Sequence, residues 1–357
     1  VTHPALRTRA CELFGIEVPI VQTGMGWVAG ARLAAASSAA GALGVIASAT
    51  MTYDELRAAI SQVRERTERP FGVNLRADHA EVERFVDLLV RERVKVASFA
   101  RAPGARVVGR LRDAGVLVVP TVAARRHAEK VAALGVDALI AQGQEGGGHT
   151  GAVPTSLLLP AVASAVDVPV LGAGGFHDGR GLVAALAFGA AGVAMGTRFL
   201  LTQESTVPAH VKARYLAASV TDTVVTRAVD GVPQRVVRTE VVDRLERGAG
   251  AAGAFVRAAG SALRLRRLTR TSLPALVREG VAMHRGAGGD GLSWAQVAMA
   301  ANAPMLTRAA LVEGRLEAGI LPAGQVTGVI EELPTVAELV ARIVAEAGEV
   351  LERLGAR

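Results

Sequence analysis

The sequence predicts an α/β chain that closes into a (β/α)8 TIM barrel, with an inserted, mainly helical lid domain after strand 8. Three observations carry this expectation. Short, valine-rich apolar runs recur at intervals of roughly 20 to 35 residues, each followed by a longer segment with helical spacing of apolar positions. Eight such units end by residue 196, a count that suits a closed ring better than an open doubly wound sheet, the second choice. Beyond about residue 218 the alternation stops and Arg-rich and Ala/Gly-rich stretches take its place.

The eight candidate strands are "VPIVQTG" (18–24), "LGVIAS" (43–48), "FGVNL" (71–75), "VKVASFA" (94–100), "VLVVPT" (116–121), "DALIAQ" (137–142), "PVLGAG" (169–174) and "AGVAMG" (191–196). The connecting helices carry their own signals. "TYDELRAAISQVRER" opens on a Thr52 cap and "DHAEVERFVDLLVRER" on an Asp78 cap, each with acidic residues early and arginines late, in the sense that complements a helix dipole. Residues 218–320, which include "RGAGAAGAFVRAAGSALRLRRLTR", show no strand and helix alternation and are expected to form the lid. "PTVAELVARIVAEAGEVLERL" then reads as a long amphipathic helix with Thr335 and Glu338 at capping-box spacing, returning to the barrel as its eighth crossover. The expected organisation is thus a barrel over 1–217, an inserted lid or substrate domain over 218–320 and a C-terminal segment over 321–357.

Composition narrows the function. Half of the 357 residues are apolar and 20% are charged, which suits a compact globule. Aromatic content of 3% and the lack of helix-turn-helix or zinc-finger spacing argue against nucleic acid. The net charge of +7, carried mostly by arginine, suits phosphate or carboxylate groups. A single cysteine, Cys11, excludes an internal disulfide and fits a cytoplasmic protein. The uncharged stretch Gly181 to Thr197 is too short and too glycine-rich for a membrane span.

In such a barrel the carboxyl ends of the strands and the loops after them face the active site. Those positions are Gln22 to Met25, Asn74, Phe99, Thr121, Gln142 to His149, Gly172 to Gly175 and Gly196 to Arg198. "GAGGFHDGRG" after strand seven and "MGTRF" after strand eight are expected to form a phosphate site, since glycines let backbone N–H groups approach an anion and the following helix starts favour its charge. Read singly, either is equally a tight turn. Asn74 and Gln142 offer both donor and acceptor, as the edge of a flat heterocycle needs, or else they cap loop backbone. "AQGQEGGGHTG" then places three glycines before His149, a residue able to take and give a proton near neutrality, or to act as a structural hydrogen bonder. No cluster shows metal-ligand spacing, and no metal is expected. Cys11 precedes the first strand and is no nucleophile.

With these residues in view, the chain resembles the flavin-dependent barrel family that includes nitronate monooxygenases (2-nitropropane dioxygenases) and FMN-containing enoyl-thioester reductases. The resemblance runs from about Leu6 to the end, through "PIVQTGMGWVAGARLAAASSAAGALGVI", "FGVNL", "AQGQEGGGHTG", "GAGGFHDGRGLVAALAFGAAGVAMGTRFLLTQES" and "LPAGQ" in order. It implies FMN, with the phosphate on Gly174, Gly175 and the turn Ala194, Met195, Gly196, Thr197. It places the ring and ribityl chain near Gly24, Met25, Asn74, Gln142 and Gly147, with Gln22 and Gln325 as further contacts. It also implies that His149 stands beside the flavin face. One departure is the first loop, which runs Thr23, Gly24, Met25 and then Trp27 where family members often carry proline before the methionine. The chain further resembles an actinobacterial branch associated with steroid-ring degradation, whose substrates are coenzyme A thioesters.

Two reactions share this machinery: making or reducing a double bond next to a thioester, with His149 as acid or base, and oxygenation of an alkyl nitronate by O2. The stretch from Gly248 to Val277 has no acidic residue and contains Arg264, Arg266 and Arg267, suited to coenzyme A phosphates, and this favours the thioester. A non-catalytic barrel that binds flavin or phosphate is the alternative from another class. No dinucleotide fingerprint is present, although a nicotinamide visiting the same flavin face and a homo-oligomer are both compatible with the sequence.

Overall fold

Period-two alternation along each strand decides which side chains fill the ring and which meet the helices. The computed structural model describes residues 3–79, 81–247 and 294–355, together with 263, 278, 280–281 and 283–285. All eight expected barrel strands form: β1 (Ile20–Gln22), β2 (Leu43–Ala47), β3 (Phe71–Leu75), β4 (Val96–Phe99), β5 (Leu117–Val122), β6 (Leu139–Gln142), β8 (Val170–Ala173) and β9 (Gly192–Met195). Each is parallel to its neighbours, and β9 pairs back onto β1, so the barrel is closed.

Val21, Leu43, Val45, Val96, Val119, Ile140, Leu171, Ala173 and Ala194 meet inside the ring. Ala10, Phe14 and Ile16 join them from the segment before β1, beside Leu117 and Ala191 at strand starts, so this segment plugs the amino-terminal end. Cys11 lies in that plug, far from the strand carboxyl ends. The alternate positions, among them Ile20, Ile46, Val73, Ala97, Val118, Leu139 and Val193, pack against the helices. Each fully buried aliphatic side chain of this kind contributes about 1.5–3 kcal/mol relative to exposure.

Helix α3 (Tyr53–Arg64) starts as its sequence requires, with Thr52 Oγ1 accepting from Glu55 N and the Glu55 carboxylate accepting from Thr52 N at 2.7 Å. The next helix departs from expectation. It covers Val82–Arg91 with Glu81 at the N-cap, and Asp78 is not its cap. Asp78 instead meets the Arg76 guanidinium at 3.0 Å, a charge-assisted partner stronger than a helix N–H.

The C-terminal helix Val336–Gly355 has the Thr335/Glu338 capping box and packs between α2 (Ala31–Ala39) and α8 (Gly179–Ala187), the place of the eighth crossover. The Glu346 carboxylate accepts from Gly179 N at 2.9 Å.

The intervening region contains two strands that the sequence reading did not anticipate. β10 (Thr223–Thr226) and β11 (Gln234–Val237) form an antiparallel hairpin, and β11 also pairs with a two-residue strand, β7 (Gly148–His149), in the loop after β6. Helices at Glu240–Arg247, Trp294–Met299 and Asn302–Leu311 follow. Among the described residues no helix is long and apolar enough to cross a membrane.

Candidate functional site

At the carboxyl ends of the strands the inward positions change from apolar to polar. The parity that puts Val96, Val119 and Ile140 inside the ring puts Ser98, Thr121 and Gln142 above them, and Asn74 stands level on β3. Asn74 Nδ2 donates to Ser98 Oγ at 2.9 Å, and the Gln142 side-chain amide donates to the His149 carbonyl at 2.8 Å. Each amide thus uses its N–H on the protein and keeps its Oδ1 or Oε1 as an acceptor.

Three expected strand-end residues, Phe99, Gln22 and Arg198, have side chains in other places, as does Met195 of the implied phosphate turn. Phe99 and Met195 have helix-facing parity and lie in the outer core layer, so Ser98 and Ala194 are the inward residues of β4 and β9. Gln22 is wholly buried, donates to the carbonyls of Thr23 and Val45 and accepts from Val45 N, which occupies its amide fully within the barrel wall. Arg198 is 3% exposed and donates to the carbonyls of Leu201 and Glu332. Burial, and then Arg342, lowers its guanidinium to about 10.

The glycine positions converge. Gly174 and Gly175 take φ of +86° and +87°, the left-handed region that side chains disfavour. A Cβ on Gly174 would stand 2.8 Å from Gly146 N, so the turn after β8 lies directly on the loop after β6. One on Gly175 would meet nothing nearer than Glu145 Cβ at 3.9 Å, which leaves the turn open there. A Cβ on Gly24 would stand 2.4 Å from Asn74 Cβ, and one on Gly196 would stand 3.5 Å from Met25 Sδ. A Cβ on Gly147 would stand 2.5 Å from Gly324 N, which in turn donates to Thr197 Oγ1 at 2.9 Å. Gln325 enters through its backbone, its N–H donating to the Glu145 carbonyl at 3.0 Å. The loops after β1, β6, β8 and β9 and the segment around Gly324 therefore form one continuous rim.

The start of α8 is not a free anion site. Asp178 caps it, with Oδ1 accepting from Gly181 N at 2.8 Å. Burial opposes that charge, but the Gly181 N–H and the Arg180 guanidinium outweigh it and hold the carboxyl below its ordinary value. A second anion on the same dipole would meet this carboxylate. The N–H groups of the Gly174–Gly175 turn and of the turn after β9 are what remains for a phosphate. His177, beside Asp178, is held below the ordinary imidazole value by burial, with Asp178 opposing.

His149 stands at the rim on β7, its side chain 55% exposed. Its Nε2 lies 2.7 Å from Oδ2 of Asp230, a side chain only 5% exposed in the loop between β10 and β11. Asp230 Oδ1 accepts from Val232 N at 3.1 Å. Sequence reasoning missed Asp230. The available signal was the Asp230-Gly231 pair between "TVVT" and "QRVV", a turn signature between two short β-prone runs. Glu145, near His149 in sequence, is held elsewhere: its carboxylate accepts from Thr155 N at 2.9 Å and Thr155 Oγ1 at 2.8 Å.

The departure in the first loop is structural as well as chemical. Trp27 has φ of 66°, its Nε1 donates to the Pro304 carbonyl at 2.8 Å, and the Arg308 guanidinium lies over its ring. The loop after β1 is thereby tied to the helix Asn302–Leu311. His210 bonds the Gly314 carbonyl and His127 lies on the helix Arg125–Ala132, both away from this rim. Arg264, Arg266 and Arg267 lie outside the described residues.

The chain matches the family model for nitronate monooxygenase over residues 7–85 and 81–346. It is 56% identical over 345 residues to a Mycobacterium tuberculosis protein named (3aS,4S,5R,7aS)-5-hydroxy-7a-methyl-1-oxo-octahydro-1H-indene-4-carboxyl-CoA dehydrogenase, with 96% of each chain covered. A Rhodococcus jostii protein of the same name is 54% identical, with 98% of each covered. Among solved structures, FabK from Thermotoga maritima superposes with a TM-score of 0.77 at 35% identity, over 98% of this chain and 99% of its own. Dehydrogenase and monooxygenase are both oxidoreductase activities, and this chain is an oxidoreductase. A closed parallel barrel, a rim of glycine turns and a histidine at its mouth are thus joined to a match across nearly the whole sequence, and the chain belongs to the nitronate monooxygenase family.

Proposed function

We propose that this protein is an FMN-dependent dehydrogenase acting on a carboxyl-CoA thioester of a hydroindane ring, an intermediate of steroid-ring degradation. The observation that carries the proposal is the identity of 56% and 54%, across nearly the whole chain, to two proteins named for that substrate.

The residues present fit FMN. The open left-handed turn at Gly175 is a cradle that side chains would fill, and it neighbours the turn Ala194 to Thr197. Gly174, Gly175, Gly196 and Thr197 would hold the phosphate through main-chain N–H groups. Gly24, Met25, Asn74, Gln142 and Gly147 would hold the ring and ribityl chain, with Asn74 Oδ1 and Gln142 Oε1 as acceptors. When bound, FMN supplies a two-electron acceptor for a hydride leaving the β carbon.

The protein's own part is placement and proton handling. The thioester carbonyl acidifies the proton on its α carbon, and His149 removes it, leaving the electron pair to form the double bond as the β hydride departs. In the opposite direction His149 returns the proton to the α carbon. Arg264, Arg266 and Arg267 would meet the coenzyme A phosphates.

The family description favours a second reading, oxidation of alkyl nitronates with O2. A nitronate is already anionic and needs no proton acceptor, so the two readings differ at His149. The test is anaerobic mixing of the purified flavoprotein with a hydroindane carboxyl-CoA thioester. Bleaching of the flavin band, lost in His149→Ala, is expected. Oxygen consumption with nitronates, without bleaching by the thioester, would replace this proposal with the second. A preparation that carries no flavin and gains no flavin spectrum on addition of FMN would overturn both.

A further inference from the structure

His149 is held from two sides. Its main chain pairs with Gln234 of β11, and its carbonyl accepts from Gln142. Its ring meets Asp230, whose buried carboxylate is fixed in turn by Val232 N. The loop that carries Asp230 is itself braced, since Gly231 N donates to the Arg227 carbonyl at 2.9 Å and the Gln296 amide donates to the Gly231 carbonyl at 2.9 Å.

We infer that Asp230 is a positioning residue that holds His149 as the Nε2–H tautomer, so that Nδ1 is the nitrogen that exchanges a proton with the substrate. The inference rests on the acid/base role proposed above for His149. A carboxylate oxygen only accepts, so the ring nitrogen 2.7 Å from Asp230 Oδ2 must carry a hydrogen. A neutral imidazole has one N–H, and with that hydrogen on Nε2 the free lone pair is on Nδ1.

The proton balance follows. The α C–H bond breaks, its electron pair enters the new double bond, and the proton goes to Nδ1. The ring is then an imidazolium, with Nε2–H still facing the buried carboxylate, whose charge stabilises it without itself taking the proton. The β hydride would be taken up by FMN, the two-electron acceptor of the proposed function. In the reverse direction Nδ1–H returns the proton, and Asp230 keeps the ring oriented throughout.

The hairpin thus constrains His149 in two ways. β11 supplies backbone bonds that fix where His149 stands, and the turn before it supplies the side chain that fixes which nitrogen is basic.

Asp230→Asn tests this directly. Val232 N keeps the amide oxygen, so the amide NH2 must face the ring, Nε2 becomes an acceptor and the hydrogen moves to Nδ1. Long-range 1H–15N spectra of the purified flavoprotein, taken at a pH where imidazole is neutral, read the tautomer. The His149 signals are those missing in His149→Ala. A protonated Nε2 in the wild type and a protonated Nδ1 in Asp230→Asn are expected. The rate of anaerobic flavin reduction at saturating thioester should fall on the order of 100-fold or more in Asp230→Asn, as for an amidated triad aspartate. The apparent substrate affinity should change by less than about twofold. Asp230→Glu should recover part of the rate.

A wild-type ring protonated at Nδ1 overturns the inference. So does an Asp230→Asn enzyme that reduces at the wild-type rate while His149→Ala does not, and that result leaves the proposed function standing. Wild-type reduction by His149→Ala overturns both. If Asp230→Asn does not fold, the wild-type tautomer and the Asp230→Glu rate decide the matter.

Discussion

The two glycines after β8 share a backbone conformation but differ in what surrounds them, so alanine at each separates two energies. At Gly175, φ of +87° is the only obstacle, since the added Cβ would meet just Glu145 Cβ at 3.9 Å, an ordinary contact. The left-handed conformation costs an L residue about 1–2 kcal/mol, and that is the expected loss of stability in Gly175→Ala. At Gly174 the same φ cost applies, and the Cβ would stand 2.8 Å from Gly146 N and 3.0 Å from Gly143 O. Both are backbone atoms of the loop that ends at His149, so relief requires displacing that loop. Gly174→Ala should therefore lose about 1–3 kcal/mol more, in the range measured for overpacked sites. Urea denaturation of the two variants gives the difference, and FMN retention on gel filtration should fall in both, in Gly174→Ala through displacement of the loop after β6 and in Gly175→Ala through a Cβ in the proposed phosphate cradle. Equal midpoints for the two variants, or a Gly174→Ala protein as stable as the wild type, would refute this account of the turn.

Other perturbations should have smaller or more local effects. Tyr215 is fully buried and its hydroxyl donates to the Pro322 carbonyl at 3.0 Å, so Tyr215→Phe should cost about 1–2 kcal/mol in chemical denaturation. Burial also pushes the Tyr215 phenol far above its ordinary value of 10.0. Its ionisation then favours the unfolded chain, so stability is full below pH 10 and declines above it, and alkaline difference spectra should show the Tyr215 phenol ionising only as the protein unfolds. The Asp178 carboxyl is shifted the other way, below its ordinary 3.8. Its contribution is present above that value and is lost as pH falls through the lower folded value, so Asp178→Asn should flatten the acid limb of the stability curve below about pH 4. Trp27→Phe removes the bond to the Pro304 carbonyl and should cost about 1 kcal/mol, read as faster proteolysis of the segment around Asn302–Leu311.

What could be read from the sequence is what local periodicity encodes. Eight strands such as "FGVNL" and "DALIAQ" announce themselves because their apolar residues cannot stay exposed, and Thr52 and Thr335 announce helix starts because each cap lies three residues from its partner glutamate. Asp78 misled for a related reason: a capping carboxylate goes to any stronger donor nearby, and the Arg76 guanidinium is two residues away. Phe99 misled because the reading took strand ends as a zone, whereas the pleat assigns each residue to one face, so the polar ring belongs to Asn74, Ser98, Thr121 and Gln142. Parity counted from the apolar plug would have made that assignment in advance.

The hairpin is a different kind of omission. β10 and β11 are four residues each and carry Thr, Gln and Arg among their valines, so their burial comes from partners far along the chain rather than from their own pattern. β11 finds one of those partners in Gly148 and His149, 85 residues away at the Gln234 to His149 pair. A two-residue strand rich in glycine has almost no propensity to form alone, and it exists because β11 offers it an edge. Of the glycines that make the loop after β6 costly to order, Gly148 pairs with Arg235 of β11 at a left-handed φ of +70°, and Gly147 lies where a Cβ would stand 2.5 Å from Gly324 N. That pairing brings His149 to Asp230, a contact that links barrel and insert and that neither stretch foreshadows on its own. The position of His149 was legible from the barrel. Its orientation is a property of the inserted segment, and a family member that keeps the barrel loop but changes the hairpin should keep the histidine and lose control of its tautomer.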